Sequence, residues 1–293
     1  MQLLTRLTAI LLFISLQPGN ISAQHKYAYR IFDSEGRISA FPQMLAAAGQ
    51  TDVVLFGELH NNPIAHWLQI ELSRKLLDTL GGSLLLGAEM FETDNQLLID
   101  EYFAGIITES SFRSEARLWN NYETDYRPLV ELARENGIRF IATNIPRRYA
   151  SLVHREGLEA LDSLSPEAGS YIPPLPVPYD ETLPGYQAML EMGNMPAHGG
   201  ENLPKAQAVK DATMAHNIIQ NLTGHDVFLH FNGAYHSNNY EGIVWYLGIY
   251  SDQHLDIVTI STVEQDDISR LDQDNFGLAD FIITVTSSMT KTY

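Results

Sequence analysis

The feature that most constrains the fold is an alternation of short apolar runs and longer amphipathic stretches between residues 52 and 283. Short apolar runs bounded by polar residues or glycine are typical of buried strands, and longer stretches with a helical period are typical of helices. We predict strands at 52–56, 83–87, 138–142, 227–231, 257–260 and 281–283, and helices at 63–80, 94–103, 127–136, 147–161, 204–222 and 238–250. This order predicts an α/β fold with a mostly parallel central sheet and helices on both faces.

The start of the chain has the pattern of an export signal. Arg6 precedes the apolar stretch 7–16, and Ala23 completes a small-residue cleavage site. We therefore expect a signal peptide over 1–23 and a single mature α/β domain over 24–293. The expected location is the periplasm, the cell surface or the medium.

Composition excludes several classes of site. The chain has no cysteine, which excludes disulfides, thiolate metal sites, a lipid-bearing cysteine and covalently attached c-type haem. Its net charge of −18, from 18 Lys and Arg against 36 Asp and Glu, argues against a nucleic-acid partner and against anionic membrane surfaces.

One segment, residues 165–202, interrupts the alternation. It carries prolines at 166, 173, 174, 176, 178, 184 and 196, together with Tyr171, Tyr179 and Tyr186. A stretch of this length inside a compact domain is more often a lid or a binding insertion than a simple connection.

The same insertion holds the candidate cofactor ligands. Met189, Met192, Met195 and His198 recur every three residues; thioether and imidazole suit copper(I) or haem iron, although methionine at this spacing is also typical of a core or a pocket wall. Phenolate oxygen can ligate ferric haem iron. The candidate cofactor-binding residues are therefore Tyr171, Tyr179, Tyr186, Met195 and His198.

Polar side chains follow four of the predicted strands. Glu58 and His60 follow the first, Glu89 ends the second, Arg147 follows the third and His236 follows the fourth. In open parallel sheets, ligands bind outside the carboxyl ends of the strands, so we expect these five residues to meet at one edge of the sheet. The repeated Gly-x-x-His form at 57–60 and 233–236 supports that expectation, because glycine permits a sharp turn after a strand.

Two kinds of chemistry suit this set. His60 and His236, with Glu58, offer the nitrogen and oxygen ligands that a divalent ion accepts. The same side chains can act as general bases on water while Arg147 stabilises an oxyanion. Structural alternatives are that Glu58 caps the following helix while His60 only packs, and that Glu89 forms an ion pair with Arg147.

Other charged and imidazole side chains have simpler interpretations. Arg148 is an alternative to Arg147 as the inward-facing arginine. His66 follows His60 by six residues, a spacing that fits no common helical ligand pair, so we expect it outside the site. His216 and His230 are expected on a helix face and in a strand core, respectively.

With these residues in view, the chain resembles the ChaN-like haem-binding family of the Tiki, TraB and erythromycin-esterase superfamily. The resemblance covers roughly residues 52–250 and rests on five motifs: GELHNNPIAH (57–66), LLLGAEMFE (84–92), NIPR (144–147), KDATMAHNI (210–218) and FNGAYH (231–236). It implies an exported α/β protein that holds haem non-covalently through tyrosine during iron uptake. It also implies a homodimer that encloses stacked haems. Outer-membrane haem transport components are the expected partners.

The wider superfamily implies a second function. It includes metal-dependent hydrolases and proteases whose catalytic positions match Glu58, His60, Glu89, Arg147 and His236. Members of the haem-binding family are often lipoproteins, whereas this chain has no cysteine to carry the lipid. We expect haem binding, with metal-dependent hydrolysis as the alternative and a non-catalytic binder with a relic polar cluster as a third hypothesis.

Overall fold

The computed structural model describes residues 26–193, 200–224 and 226–293, and within them the strands form one eight-stranded sheet. The strands are β1 (Tyr29–Asp33), β2 (Ile38–Ser39), β3 (Val53–Glu58), β4 (Leu84–Glu92), β5 (Phe140–Asn144), β6 (Val227–Gly233), β7 (Ile257–Gln265) and β8 (Phe281–Thr286). Their order is β2-β1-β8-β7-β3-β6-β4-β5. Strands β3 to β8 pair with one another in parallel, and β1 is antiparallel to both β2 and β8.

Helices cover both faces of the sheet. They are α1 (Phe41–Ala48), α2 (Pro63–Leu80), α3 (Gln96–Phe103), α4 (Glu109–Glu115), α5 (Arg127–Asn136), α6 (Arg147–Glu156), α7 (Pro166–Gly169), α8 (Pro184–Gly193), α9 (Leu203–Asn221) and α10 (Ile243–Tyr250). Short 3-10 turns occupy Gly81–Ser83, Thr93–Asn95, Leu158–Ser163, Ala234–His236, Asn238–Tyr240 and Gln273–Asn275, and a π-helical turn occupies Tyr122–Tyr126. Among the described residues, none of the helices combines the length and hydrophobicity needed to span a bilayer.

The core has two layers because strand side chains alternate between the faces. Val54 and Phe56 of β3 pack in one cluster with residues of α1 to α5. Val53 and Leu55 pack in the other cluster with residues of α6, α8, α9 and α10. The α/β fold with a mostly parallel, doubly covered sheet is thus confirmed.

The predicted elements agree best where the local pattern is strong. Helices α2 and α5 have the predicted bounds, whereas β4 runs five residues beyond the predicted strand. The predicted helix at 238–250 begins only at Ile243, because Asn238–Tyr240 forms a 3-10 turn and Gly242 has a φ of +55°. The sequence patterns missed β1, β2, α1, α4, α7 and α8. The predicted signal peptide and the candidates Met195 and His198 lie outside the described residues.

Candidate functional site

Glu58, the last residue of β3, is the centre of a buried hydrogen-bond cluster. Its side chain accepts the hydroxyl proton of Tyr126 at 2.6 Å and the amide of Gln69 at 2.5 Å. His60 Nδ1 donates to the same carboxylate at 2.9 Å. Helix α2 is capped by Asn62, whose Oδ1 accepts from the amides at its start. The alternative that Glu58 caps this helix is therefore wrong.

His66 belongs to the same cluster, although its spacing predicted otherwise. It is buried, and its Nδ1 lies 3.6 Å from Glu58 Oε2. Its Nε2 donates to the backbone carbonyl of His60 at 3.1 Å and lies 3.4 Å from Asp125 Oδ2. Asn121 donates to the same carbonyl at 3.0 Å. His66 thus fixes the turn that carries His60, and the expectation that it lies outside the site is wrong.

Glu89 forms a second cluster on the opposite face of the sheet. Its carboxylate accepts the Gly233 amide at 2.7 Å and His236 Nε2 at 3.1 Å. The other ring nitrogen of His236 donates to Asp211 Oδ1 at 2.5 Å, and Tyr186 donates its hydroxyl to Asp211 Oδ2 at 2.8 Å. The imidazole is therefore held between two buried carboxylates.

Burial and charge together set the protonation of this cluster. Burial by itself lowers the pKa of His236, but the carboxylates of Glu89 and Asp211 outweigh it and raise that pKa to about 10. Burial raises the pKa of Glu89, and the opposing charge of His236 brings it well below the usual range. For Asp211 burial prevails, and its pKa is raised. The cluster thus contains an imidazolium paired with the Glu89 carboxylate.

His60 connects the two clusters across the ends of the strands. A Cβ on Gly233 would lie 2.7 Å from His60 Nε2 and 3.4 Å from Glu89 Oε2, so the ring rests on this glycine beside the second carboxylate. The edge of Trp119 meets the same ring at a centroid distance of 4.9 Å. The imidazoles of His60 and His236 therefore lie on one rim, as the strand-end pattern predicts.

The environment of His60 differs from that of the buried imidazoles. Its side chain is 36% exposed. Burial lowers its pKa, but the hydrogen bond to Glu58 and the charge of Glu89 outweigh burial and raise it. Its Nε2 has no hydrogen-bond partner within the described ranges. His60 is thus an accessible imidazole whose orientation is set by a buried carboxylate.

The arginines that follow β5 do not join either of the carboxylate–histidine clusters. Arg147 is exposed and forms no ion pair in the part of the chain that the structure describes. Glu89 takes His236 and the Gly233 amide as its partners, so the alternative of a Glu89–Arg147 ion pair is wrong. Arg148 pairs with Asp94 at 2.5 Å on the surface, which excludes it as the inward-facing arginine.

No three His, Asp or Glu side chains in residues 26–193, 200–224 and 226–293 form a group that could hold a metal ion. Of the proposed ligands, Glu58 is engaged by three side chains and His236 by two carboxylates, and His60 uses its Nδ1 for Glu58 and has only its Nε2 free. The geometry therefore gives no support to the predicted divalent metal.

Comparison with known proteins identifies the family. The sequence model of the family described as "Haem-binding uptake, Tiki superfamily, ChaN" matches residues 44–247. The chain belongs to this haem-binding family. The match covers the whole rim, from Glu58 to His236.

Solved structures share the fold. Cofacial haem-binding ChaN of Campylobacter jejuni superposes with a TM-score of 0.65 at 17% identity, over 87% of this chain and 96% of that one. A succinoglycan biosynthesis protein superposes with a TM-score of 0.52 at 10% identity, over 86% and 92% of the two chains. An erythromycin esterase in its open conformation reaches 0.45 at 10% identity, over 81% and 77%, which is too loose for a functional argument. No curated protein sequence matches the chain significantly.

The insertion tyrosines of this family member lie in three different environments. Tyr186 is buried and donates to Asp211, and burial raises its pKa. Tyr179 stacks on Tyr186 at a centroid distance of 5.6 Å. Tyr171 is half-buried, and its hydroxyl has no hydrogen-bond partner among the described residues. Tyr186 is therefore a structural residue in this arrangement, whereas the hydroxyls of Tyr171 and Tyr179 have no hydrogen-bond partner among the described residues.

Sequence reasoning missed Asp211, Gln69 and Tyr126 as functional residues. A signal for Asp211 was present, because it lies three residues after Ala208 and four before Ala215, both fully buried on α9. An aspartate on the apolar face of a helix needs a partner. Its partner, His236, comes 25 residues later in the sequence and follows strand β6. His216 on a helix beside Tyr250 and the fully buried His230 lie where they were expected.

Proposed function

We propose that the protein is an exported haem-binding protein that takes part in haem or iron uptake. The observation that carries this proposal is the family match over residues 44–247. The fold shared with a haem-binding ChaN over nearly its whole length agrees with it. Haem is the cargo here, so the function requires binding and release but no bond-making chemistry.

The chain offers side chains that fit haem. A tyrosine phenolate can serve as an axial ligand of ferric haem, and the phenol of Tyr171 is half-buried and unengaged in the described structure. Aromatic side chains also pack well against a porphyrin face. The chain's own side chains therefore suit haem, and binding it requires no divalent metal.

The direct test is a titration of the purified mature protein with hemin, followed by absorbance. We expect a saturable Soret shift with a stoichiometry near one hemin per chain. Absence of a saturable shift would refute the proposed function. The triple change of Tyr171, Tyr179 and Tyr186 to phenylalanine tests whether the insertion contributes, and circular dichroism of that variant controls for its folding.

Export, dimerisation and transport partners are further parts of the proposal. The pattern at residues 1–23 supports passage out of the cytoplasm, and fractionation of cells expressing the full chain would test it. Size-exclusion chromatography with and without hemin would test the expected homodimer. Co-purification with outer-membrane haem transport components would test the expected partners.

A hydrolase is the second candidate, and the geometry of His60 favours it. Its Nδ1 is bonded to buried Glu58 while its partly exposed side chain leaves Nε2 free, an arrangement that suits a general base acting on water. Glu58→Ala then abolishes turnover of ester or peptide substrates and leaves hemin affinity nearly unchanged. If the purified protein hydrolyses none of these substrates with any added divalent ion, the hydrolase function is ruled out.

A further inference from the structure

A cavity lies between the start of α2, the π-helical turn at Tyr122–Tyr126 and the start of α5. It encloses about 380 Å³, a volume toward the small end of the roughly 300–1,000 Å³ usual for ligand pockets. Its polar lining includes His66 and Asp125. Four apolar side chains form its walls: Pro63, Trp67, Ile70 and Pro128. The cavity is thus suited to a small ligand with an apolar body and one polar group.

Trp67 gives the cavity an aromatic wall. It is 46% exposed, which is high for so large an apolar side chain. The ring of Tyr29 meets the indole edge-on at a centroid distance of 5.9 Å and fixes its orientation. Among aromatic side chains, indole attracts cations most strongly. Trp67 is therefore an accessible and well-positioned contact for a cationic ligand.

Asp125 forms the polar end of the cavity. Its Oδ2 accepts from Asn121 Nδ2 at 2.7 Å and lies 3.4 Å from His66 Nε2, on the opposite edge of that ring from Glu58. Its Oδ1 has no hydrogen-bond partner in the part of the chain that the structure describes. Asp125 is buried, and a buried carboxylate oxygen needs a partner. The carboxylate therefore keeps one oxygen for a ligand.

The charge of the cavity favours a cation. Among the described residues that line it, none is a lysine or an arginine. Both ring nitrogens of His66 already have hydrogen-bond partners. The negative field reaches the nearby Tyr293, because burial raises the pKa of its phenol and the carboxylates of Glu58 and Asp125 raise it further. An incoming positive charge is stabilised by such a field.

The segment after β8 forms an outer wall of the cavity. Thr292 lines the cavity, and its amide donates to the Asn61 carbonyl at 2.9 Å. The adjacent Lys291 is paired with Glu264 of β7 and does not line the cavity. This lysine therefore leaves the carboxylate of Asp125 open to a ligand.

We propose that this cavity binds a small organic ammonium ion, with its nitrogen at the carboxylate of Asp125 and its apolar body against Trp67. The ammonium group supplies the donor that Asp125 Oδ1 lacks, in a charge-assisted hydrogen bond. The indole adds a cation–π attraction, and the apolar walls bury the rest of the ligand. This site goes beyond the proposed haem function and involves no bond-making step.

NMR titration of the purified ¹⁵N-labelled protein, without hemin, tests the ligand class. The probe is benzylammonium, and benzyl alcohol is its neutral analogue. The chain has three tryptophans, and Trp67→Phe assigns the indole N–H signal of Trp67. We expect benzylammonium to shift this signal saturably and to bind roughly tenfold more tightly than benzyl alcohol. The signal of Trp245, which packs on the other face of the sheet, should not move.

Variants test the residues, with ligand-observed NMR as the measure of affinity. Asp125→Asn keeps the size of the side chain and removes its charge, so we expect roughly a tenfold loss for benzylammonium and no change for benzyl alcohol. Glu71→Gln is the matched control, because it removes a carboxylate of α2 that pairs with Arg74 and does not line the cavity. Trp67→Leu changes an exposed position, where folding tolerates substitution, and should cost roughly threefold in benzylammonium affinity.

Three outcomes would overturn the proposal. One is a folded Asp125→Asn protein that binds benzylammonium as the wild type does, and another is equal affinity of the wild type for benzylammonium and benzyl alcohol. The third is a Trp67 signal that responds to a lysine-containing peptide but not to benzylammonium, which would assign the cavity to a protein partner. None of these results depends on hemin, so the proposed function is tested separately.

Discussion

The two carboxylate–histidine clusters at the strand ends differ in what they leave free. In the Glu58 cluster, on the α2 face, the carboxylate takes three donors and one imidazole remains 36% exposed. In the Glu89 cluster, on the α9 face, His236 is buried with both ring nitrogens engaged by carboxylates. The first cluster therefore exposes the imidazole of His60 to solvent, whereas the charged groups of the second cluster are buried inside the protein.

This difference shows that similar residues after similar turns need not share a role. Both histidines end a Gly-x-x-His turn. His60 lies over Gly233 at the open rim, whereas His236 turns inward to Asp211. An ion pair that is buried tolerates the loss of one partner poorly. The clusters should therefore respond very differently to substitution.

The largest expected effect is in the buried cluster. Asp211→Ala leaves the His236 imidazolium with a single carboxylate in a buried site, and we expect the free energy of unfolding to fall by about 3–5 kcal/mol. Urea denaturation measures it. Asp78→Ala, which breaks only the exposed Lys75–Asp78 pair, is the control, with an expected loss below about 1 kcal/mol. Equal losses in the two variants would contradict the comparison.

The pH dependence of stability should also come from the buried cluster. The pKa of His236 is raised from 6.5 to about 10 in the folded protein, so its contribution is fully present below pH 6.5 and is lost as the pH rises toward 10. We expect the stability difference between the wild type and His236→Gln to shrink across this interval. Urea unfolding of both proteins at several pH values measures this difference, and a difference in unfolding free energy that stays constant with pH would refute the prediction.

A smaller effect is expected in the Glu58 cluster. Tyr126→Phe removes a 2.6 Å hydrogen bond to a buried carboxylate, and we expect a loss of about 1.5–3 kcal/mol in the free energy of unfolding. Tyr122→Phe is the matched control, because the Tyr122 hydroxyl is buried without a hydrogen-bond partner among the described residues. Its removal should be neutral or stabilising. Thermal or urea denaturation of both variants makes the comparison, and a greater loss in Tyr122→Phe would reverse it.

The smallest expected effect is at the exposed imidazole. His60→Ala leaves Glu58 with its bonds from Tyr126 and Gln69, so we expect a loss of about 1 kcal/mol or less. The same denaturation experiment measures it. A loss as large as that of Asp211→Ala would show that His60, too, is part of the buried scaffold, and the distinction between the clusters would fail.

Local sequence patterns determined much of the framework. The periodicity at 63–80 and 127–136 gave the bounds of α2 and α5, because hydrophobic spacing and the glycine that follows each stretch are local properties. Placing Glu58, Glu89 and His236 at strand ends also required only local pattern and the rule for parallel sheets. The antiparallel hairpin of β1 and β2 and the short helices α1, α4, α7 and α8 carry weaker local signals, and these elements were missed.

Only the tertiary structure decided which residues meet at the rim. Strand β6 lies between β3 and β4, which brings His236 beside Glu89 across 147 residues of sequence. Alternation along the strands then directs Glu58 to Gln69 and Tyr126 on one face, and Glu89 toward Asp211 on the other. Local patterns carry no information about strand order, because it is set by the packing of the whole chain. For that reason the sequence alone determined that a polar rim exists, and the fold decided which of its imidazoles is buried and which is open.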